Sequence, residues 1–380
     1  MAEYYRNPFV NGRPDKRRTP MWLVISDILM WTVTIIAITV LLIIFAGRFI
    51  SPERMWYFSL LGLAAPVVYI IVILELLYWI IRWKWAPAAL TALFAVIGLF
   101  HVSLYYKLDV TKHYGEPNYD KNCIKVLTFN IRSFRNDQWA TTADSVATLV
   151  RNLNPDIICF QEYLTSNEVK QEFLKQISGY HSSSSLTDKD SPTVVCFSKY
   201  RTGASRRIED WEGSGICICT DIYMNDDTVR VYNAHLQTTS VTAADKSYIS
   251  NAEFIADSTR DQRFIHIAQS LRRNNAIRAR QAEAIRRDIA ECPYPVIVCG
   301  DFNDVPISYT YRTISKGLED PFRHHGHSYA HTFRGFFDAL RIDYIFSSPD
   351  FESVSYEIVQ TGDISDHYPV MVRLKQTSKQ

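Results

Sequence analysis

The sequence predicts a mixed α/β domain built on two sheets, preceded by three membrane-crossing helices. Three observations predict it. Apolar residues crowd into three long runs before residue 107, apolar strand-like runs alternate with helical spacing from Ile124 onward, and some of those strands are joined as hairpins. Hairpins among crossover units point to two mixed sheets rather than one purely parallel sheet.

The apolar runs are Trp22–Ala46, Met55–Ile81 and Trp85–Tyr106. Each reaches the roughly 20 residues that a helix needs to cross a bilayer core. One signal peptide cannot account for three such runs, and the connectors Gly47–Arg54 and Arg82–Lys84 are too short to supply a domain that would bury them. Basic residues set the expected orientation. The tail carries Arg6, Arg13, Lys16, Arg17 and Arg18, the second connector Arg82 and Lys84, and the first connector only Arg48 and Arg54. The positive-inside bias puts the tail (1–21) in the cytoplasm, and three crossings (22–106) put the rest outside, in a periplasm if one exists. Asp27 and Glu75, the acids within the apolar runs, are expected near the cytoplasmic ends or in helix packing.

Polar residues 107–122, with Gly115 and Pro117, read as a linker. In 123–380, strands are expected at Ile124–Asn130, Asp156–Phe160, Thr193–Ser198, Val296–Gly300, Ile342–Ser347, Ser353–Val359 and Val370–Leu374. A hairpin joins Gly215–Tyr223 to Thr228–His235. Helical spacing marks Thr142–Leu153 and Val169–Ile177, and a long polar, helical insertion fills 238–292. The seven cysteines, mostly inside apolar strand runs, show neither zinc spacing nor a disulfide framework and read as core packing.

Chemistry-bearing residues fall at strand ends. Asn130 follows VLTF, Glu162 follows IICFQ, His235 follows VYNA, Asp301 and Asn303 follow VIVCG, Asp343 sits in RIDYIF, and Asp366-His367 precedes YPVMV. Any one of these has a bland explanation as a solvated rim residue or a turn residue. Together they gather at one rim, because strand ends of a sheet converge there.

The order TFNIR, PDIICFQE, NAHLQ, VIVCGDFND, RIDYIF, SDHYPV resembles the endonuclease/exonuclease/phosphatase superfamily, the DNase I-like fold, over about two thirds of the chain. The resemblance implies a four-layer α/β sandwich and phosphoester hydrolysis with Mg²⁺, or Mn²⁺ or Ca²⁺ in its place. A phosphoester is anionic, so a site must neutralise charge, supply a nucleophile and help the leaving oxygen. Hard oxygen ligands suit Mg²⁺, which takes only one or two carboxylates. Glu162 is the first expected metal ligand, with Asn130 beside it and Asp366 as a further candidate. Asp301 is expected to orient or deprotonate water, with Asn303 binding that water or a phosphoryl oxygen. His367 is expected to contact phosphate with Asp343 fixing its ring, and His235 to donate to another oxygen.

Two departures narrow the branch. Arg132 stands where abasic-site endonucleases of the family carry an acid, and SDHYPV lacks the arginine-centred signature of inositol-polyphosphate phosphatases. Residues 107–380 hold slightly more acid than base, which disfavours tight nucleic-acid binding. The expected function is a membrane-anchored hydrolase of a lipid headgroup or another extracytoplasmic phosphoester, similar to the sphingomyelinase-like branch. An extracytoplasmic nuclease and a non-catalytic membrane module are the alternatives. The arginines of the insertion read as a solvated helix face or a phosphate-gripping arm, and His324, His325, His327 and His331 as substrate contacts or surface residues.

Overall fold

Residues 21–47 contain no charge except Asp27 and no proline, so nothing there breaks a helix. In the computed structural model they form one helix, α1 (Met21–Gly47). The structure describes residues 20–107, 123–183, 194–224, 227–239, 260–335 and 338–377. The expected tail over 1–19, most of the expected linker and the start of the insertion lie outside those residues.

The second apolar run divides at Ala64 into α2 (Trp56–Leu63) and α3 (Ala65–Ile81). Pro66 is the physical reason. It has no N–H for the Gly62 carbonyl, and its ring crowds that turn. The third run gives α4 (Trp85–Val102). Among the described residues only α1 is long and apolar enough to cross a membrane by length and composition; α3 and the Trp85–Leu99 part of α4 are shorter apolar helices. The expectation of three transmembrane helices is therefore corrected to one candidate span. The multi-pass placement, the lipid bilayer contact through three helices and the extracytoplasmic side inferred from an odd number of crossings lose that support.

The helices run alternately up and down. At one end Arg82 pairs with Asp27 through two hydrogen bonds of 2.9 and 3.0 Å, and the Tyr78 hydroxyl also donates to Asp27. At the other end the Phe45 and His101 rings stack at 4.2 Å. Asp27 thus packs helix against helix. Glu75 of α3 is buried within the bundle beside Thr34 of α1, and so also lies in the helix packing. Outward positions such as Ile28, Ile36, Ile70, Leu74 and Leu93 are exposed and apolar.

The bundle is fused to the α/β domain. Ala65, Val68 and Tyr69 share one apolar cluster with Phe302, Ile307 and Tyr311. The short strand β1 (Tyr106–Lys107) pairs with β11 (Ser328–Tyr329), and Arg341, fully buried, donates to the Leu104 carbonyl at 3.2 Å.

The first sheet orders β13 (Phe351–Ile358), β14 (Val370–Gln376), β2 (Cys123–Asn130), β3 (Ile157–Gln161), β5 (Val195–Ser198) and β4 (His181–Ser183). The second orders β12 (Asp343–Ser347), β10 (Val296–Asp301), β9 (Asp227–His235), β8 (Ile216–Met224) and β6 (Arg201–Thr202), with β7 (Arg206–Arg207) also on β8. Side chains alternate along each strand, and the burial follows that alternation. Val126 and Cys159 meet Val231, Ile297 and Cys299 between the sheets. Leu127 and Phe129 face outward against α5 (Ala143–Leu153) and α6 (Asn167–Gln176). Val298 and Tyr232 face outward against Ile285 of α7 (Arg260–Glu291). The result is helices, sheet, sheet, helices.

One glycine is obligatory. Gly300 has φ +142°, and a Cβ there would lie 1.8 Å from the Ala234 carbonyl oxygen of β9. Only glycine lets β10 run beside β9 at this point.

Candidate active site

Register brings the predicted residues together. β9 and β10 are parallel with His235 opposite Asp301, and β10 and β12 are antiparallel with Asp301 opposite Asp343. Three adjacent strands therefore present three functional side chains on one face. From the other sheet, β2 and β3 pair in parallel with Asn130 opposite Gln161, which leaves Glu162 just beyond the strand end. The site sits where both sheets end.

The Asp301 carboxylate is its hub. Oδ1 accepts from the Asn303 backbone N–H at 2.8 Å, and Oδ2 accepts from Asn130 Nδ2 at 3.1 Å. The same Oδ2 lies 3.7 Å from His235 Nε2 and 3.7 Å from His367 Nε2. Asn130 Nδ2 also donates to Glu162 Oε1 at 3.1 Å, while Asn130 Oδ1 accepts from the Arg132 N–H. His235 Nε2 is buried and has no hydrogen-bond partner among the described residues. Asp301, Asp343 and His367 bring one ligand atom each within 4.8 Å of one another. Among the described residues no other group of this kind occurs, and His324–His331 forms none.

His367 Nδ1 lies 2.9 Å from Asp343 Oδ2, so it is the donating nitrogen and Nε2 faces the hub. Burial alone would keep the imidazole neutral, but the carboxylates of Asp343 and Asp301 overcome it and lift its pKa to about 10. Burial raises Asp343 to about 6, against the opposing pull of His367. At neutral pH the pair is thus carboxylate and imidazolium. A raised histidine pKa stabilises the fold fully below the ordinary value, and that stability is lost as pH rises through the folded value. In metal-free protein, NMR of ring-labelled histidine is expected to show His367 protonated at pH 8 and losing its proton only toward pH 10. A midpoint near the ordinary value of about 6.5 would contradict the pairing.

Not every predicted residue joins the cluster. Among the described residues Asp366 forms no hydrogen bond or ion pair with the other site carboxylates or imidazoles. Its carboxylate, near the rim, is 3.8 Å from Arg132 Nε. Asn303 turns its amide away, Nδ2 donating to the Leu236 carbonyl at 3.2 Å.

Backbone strain marks the rim. Glu162 (φ 52°), Asn303 (φ 52°) and the consecutive Arg132, Ser133 and Phe134 (φ 46–57°) are left-handed. Non-glycine residues persist there only where their surroundings fix them.

Sequence reasoning missed the residues that hold these side chains. Thr332 Oγ1 accepts from the Ile342 and Asp343 N–H groups, and Ser365 Oγ donates to the Asn130 carbonyl while accepting from the His367 N–H. Gln161 and Asn233 bond side chain to side chain at 2.8 Å and tie the two sheets together beneath the site. A polar residue inside an otherwise apolar strand was the available signal for that pair. Arg278, counted in sequence among possible surface arginines, is fully buried. It donates to the Gln237 carbonyl at 2.8 Å and has Nε 3.7 Å from Asp304, so it braces the loops that follow β9 and β10.

With this geometry in view, the family model described as Endonuclease/Exonuclease/phosphatase family matches residues 127–367, well over half of the chain. The chain belongs to that family. Members are typically phosphoester hydrolases and generally depend on divalent metal. A second model, described as a domain of unknown function (DUF8431), matches residues 27–105 of this family member, its helical bundle. No curated protein matches it. Among solved structures, the endonuclease/exonuclease/phosphatase from Bacteroides vulgatus is 20% identical with a TM-score of 0.51, covering 68% of this chain and 100% of that one. The human Nocturnin catalytic domain with bound sulfate is 16% identical with a TM-score of 0.48, covering 67% and 94%. The first of these likenesses supports the DNase I-like fold.

Proposed function

We propose that the chain is a divalent-cation-dependent phosphodiesterase or phosphatase, anchored to a bilayer by α1 and acting on a lipid headgroup or another phosphoester presented there. The observation that carries this is the Asp301 carboxylate, set between two imidazole nitrogens and grouped with the Asp343 carboxylate at the joint end of both sheets.

The donor set fits a hard cation. Glu162 is the partly exposed carboxylate of the cluster, and Asp301 and Asp343 lie behind it. Asn130 holds the Glu162 carboxylate through Nδ2, so its oxygen becomes a ligand only if the amide turns over. Asp366 reaches the cation only by leaving Arg132. A bound divalent cation would neutralise phosphoryl oxygens and raise the electrophilicity of phosphorus.

The chain's own groups supply the rest. Asp301, its Oδ1 held by the Asn303 N–H, orients water and takes its proton. The imidazolium of His367 donates through Nε2 to a phosphoryl oxygen, while Asp343 holds Nδ1–H. His235 Nε2, buried and unpartnered, has its unfilled hydrogen bond directed into the site, and a phosphate or leaving-group oxygen would satisfy it.

The bilayer part is supported by the length of α1 and by the apolar outward faces of α3 and α4 packed along it. The test is a substrate panel offered to the full chain in detergent with Mg²⁺: phospholipid, sphingolipid, single-stranded DNA and plasmid. Turnover of a lipid well above that of either DNA is expected. DNA cleavage without lipid turnover would replace this reading with a nuclease.

A further inference from the structure

Outside the candidate site, an open cleft of about 450 Å³ lies between the α1–α2 connector and α7. Pro52 and Glu53 form one wall, and Arg272, Arg273, Ala276 and Arg280 form the other. Arg272, Ala276 and Arg280 are spaced four residues apart and Arg273 lies three before Ala276, which puts them on one side of the helix. Arg278 lies two residues, or about 200°, around the helix from Ala276 and Arg280. The bracing arginine of the active site and the cleft therefore occupy opposite sides of α7.

The charges in the cleft are unequal. Arg280 is matched by Glu53 and Glu212. Arg272 and Arg273 are exposed and form no ion pair among the described residues. The Arg272 guanidinium lies 5.9 Å from the Trp56 ring centroid, an arrangement that steadies the cation without consuming its N–H donors. Two cations on one face of an open cleft suit a phosphate group, which arginine recognises through paired N–H donors.

Location decides which phosphate. The connector leaves the C-terminal end of α1, the candidate span, and aromatic side chains cluster around it: Phe49 is 62% exposed and Tyr57 46%, with Trp56 between Tyr57 and the cleft arginine. Aromatic belts of this kind mark the level of phospholipid headgroups. We propose that this cleft binds the phosphate of an anionic phospholipid as a docking site separate from the catalytic one. The proposal rests on the reading of α1 as a bilayer anchor. Among the described residues the cleft offers no free carboxylate or imidazole for hydrolysis, Glu53 being held by Arg280.

The experiment is native mass spectrometry of the full chain in detergent micelles with added phosphatidylglycerol, for wild type, the R272Q/R273Q double variant and the charge-preserving R272K/R273K. Each basic residue near an anionic surface is worth about 1 kcal/mol, so the double loss is expected to weaken retention by roughly thirty-fold. The lysine variant keeps the charge but not the paired donors, so it should retain the lipid less well than wild type and better than R272Q/R273Q, and inorganic phosphate at equal concentration should not displace the lipid from wild type. Equal retention by wild type and R272Q/R273Q would overturn the proposal, and so would full displacement by inorganic phosphate, which would make the ligand a free anion. Hydrolysis of a soluble phosphoester should be unchanged in R272Q/R273Q. Carbonate extraction of membranes tests the anchor independently, because binding in micelles does not require a crossing helix.

Discussion

Replacing Asp301 with asparagine is expected to lower kcat/KM for a phosphoester by about 10³-fold, within the range seen when a positioned general base is lost. Asparagine keeps the shape and can still accept the Asn303 N–H, so the turn after β10 should survive. What disappears is the negative oxygen that faces His235 and His367 at 3.7 Å. His367 also loses one of the carboxylates that keep it protonated, so its pKa should fall in the same variant. Steady-state kinetics beside a thermal melt checks this: a large loss of rate with a melting temperature close to wild type is expected. Wild-type rates would remove Asp301 from the chemistry.

The second large effect concerns stability. Arg341 is fully buried, donates to Asp320 at 2.6 Å and stacks over Phe322 and Tyr344 at 4.4 and 4.9 Å. Burial opposes its charge, and the Asp320 carboxylate overcomes that cost. Arg341→Met would leave Asp320 buried as an unpaired charge and cut the bond to the Leu104 carbonyl that ties the bundle to the α/β domain. Breaking a buried pair from one side costs about 3–5 kcal/mol. Denaturant unfolding in detergent should show a loss of that size in Arg341→Met. A smaller loss is expected when Asp320→Asn is added, because the uncompensated charge is then gone.

Much of the site was legible because its chemistry follows strand ends. The end of an apolar run is where a sheet stops and loops close over it, and Asn130, Glu162, His235 and Asp301 all stand there. The hairpin of β8 and β9 and the longer strands of both sheets were legible from alternation and turn residues for the same reason, whereas the two- and three-residue edge strands β4, β6 and β7 were not. The bundle was less so. Composition alone cannot weigh the break at Pro66, which splits one long apolar run into two helices. Long-range pairing was also hidden: nothing local in the sequence says that Arg132 meets Asp366 or that Arg278 lies under the loops of β9 and β10. Both arginines sit among other charged or polar residues and read as surface until tertiary packing is known.

The cluster around Asp301 is expected to hydrolyse phosphoesters with a divalent cation held through Glu162. The direct measurement is the initial rate of bis-p-nitrophenyl phosphate hydrolysis by chelator-treated full chain as Mg²⁺ is titrated back, in wild type and Glu162→Gln. The expected result is a saturable rise in the wild type and little or none in the variant. A rate that ignores Mg²⁺, or one that rises equally in Glu162→Gln, would contradict the account.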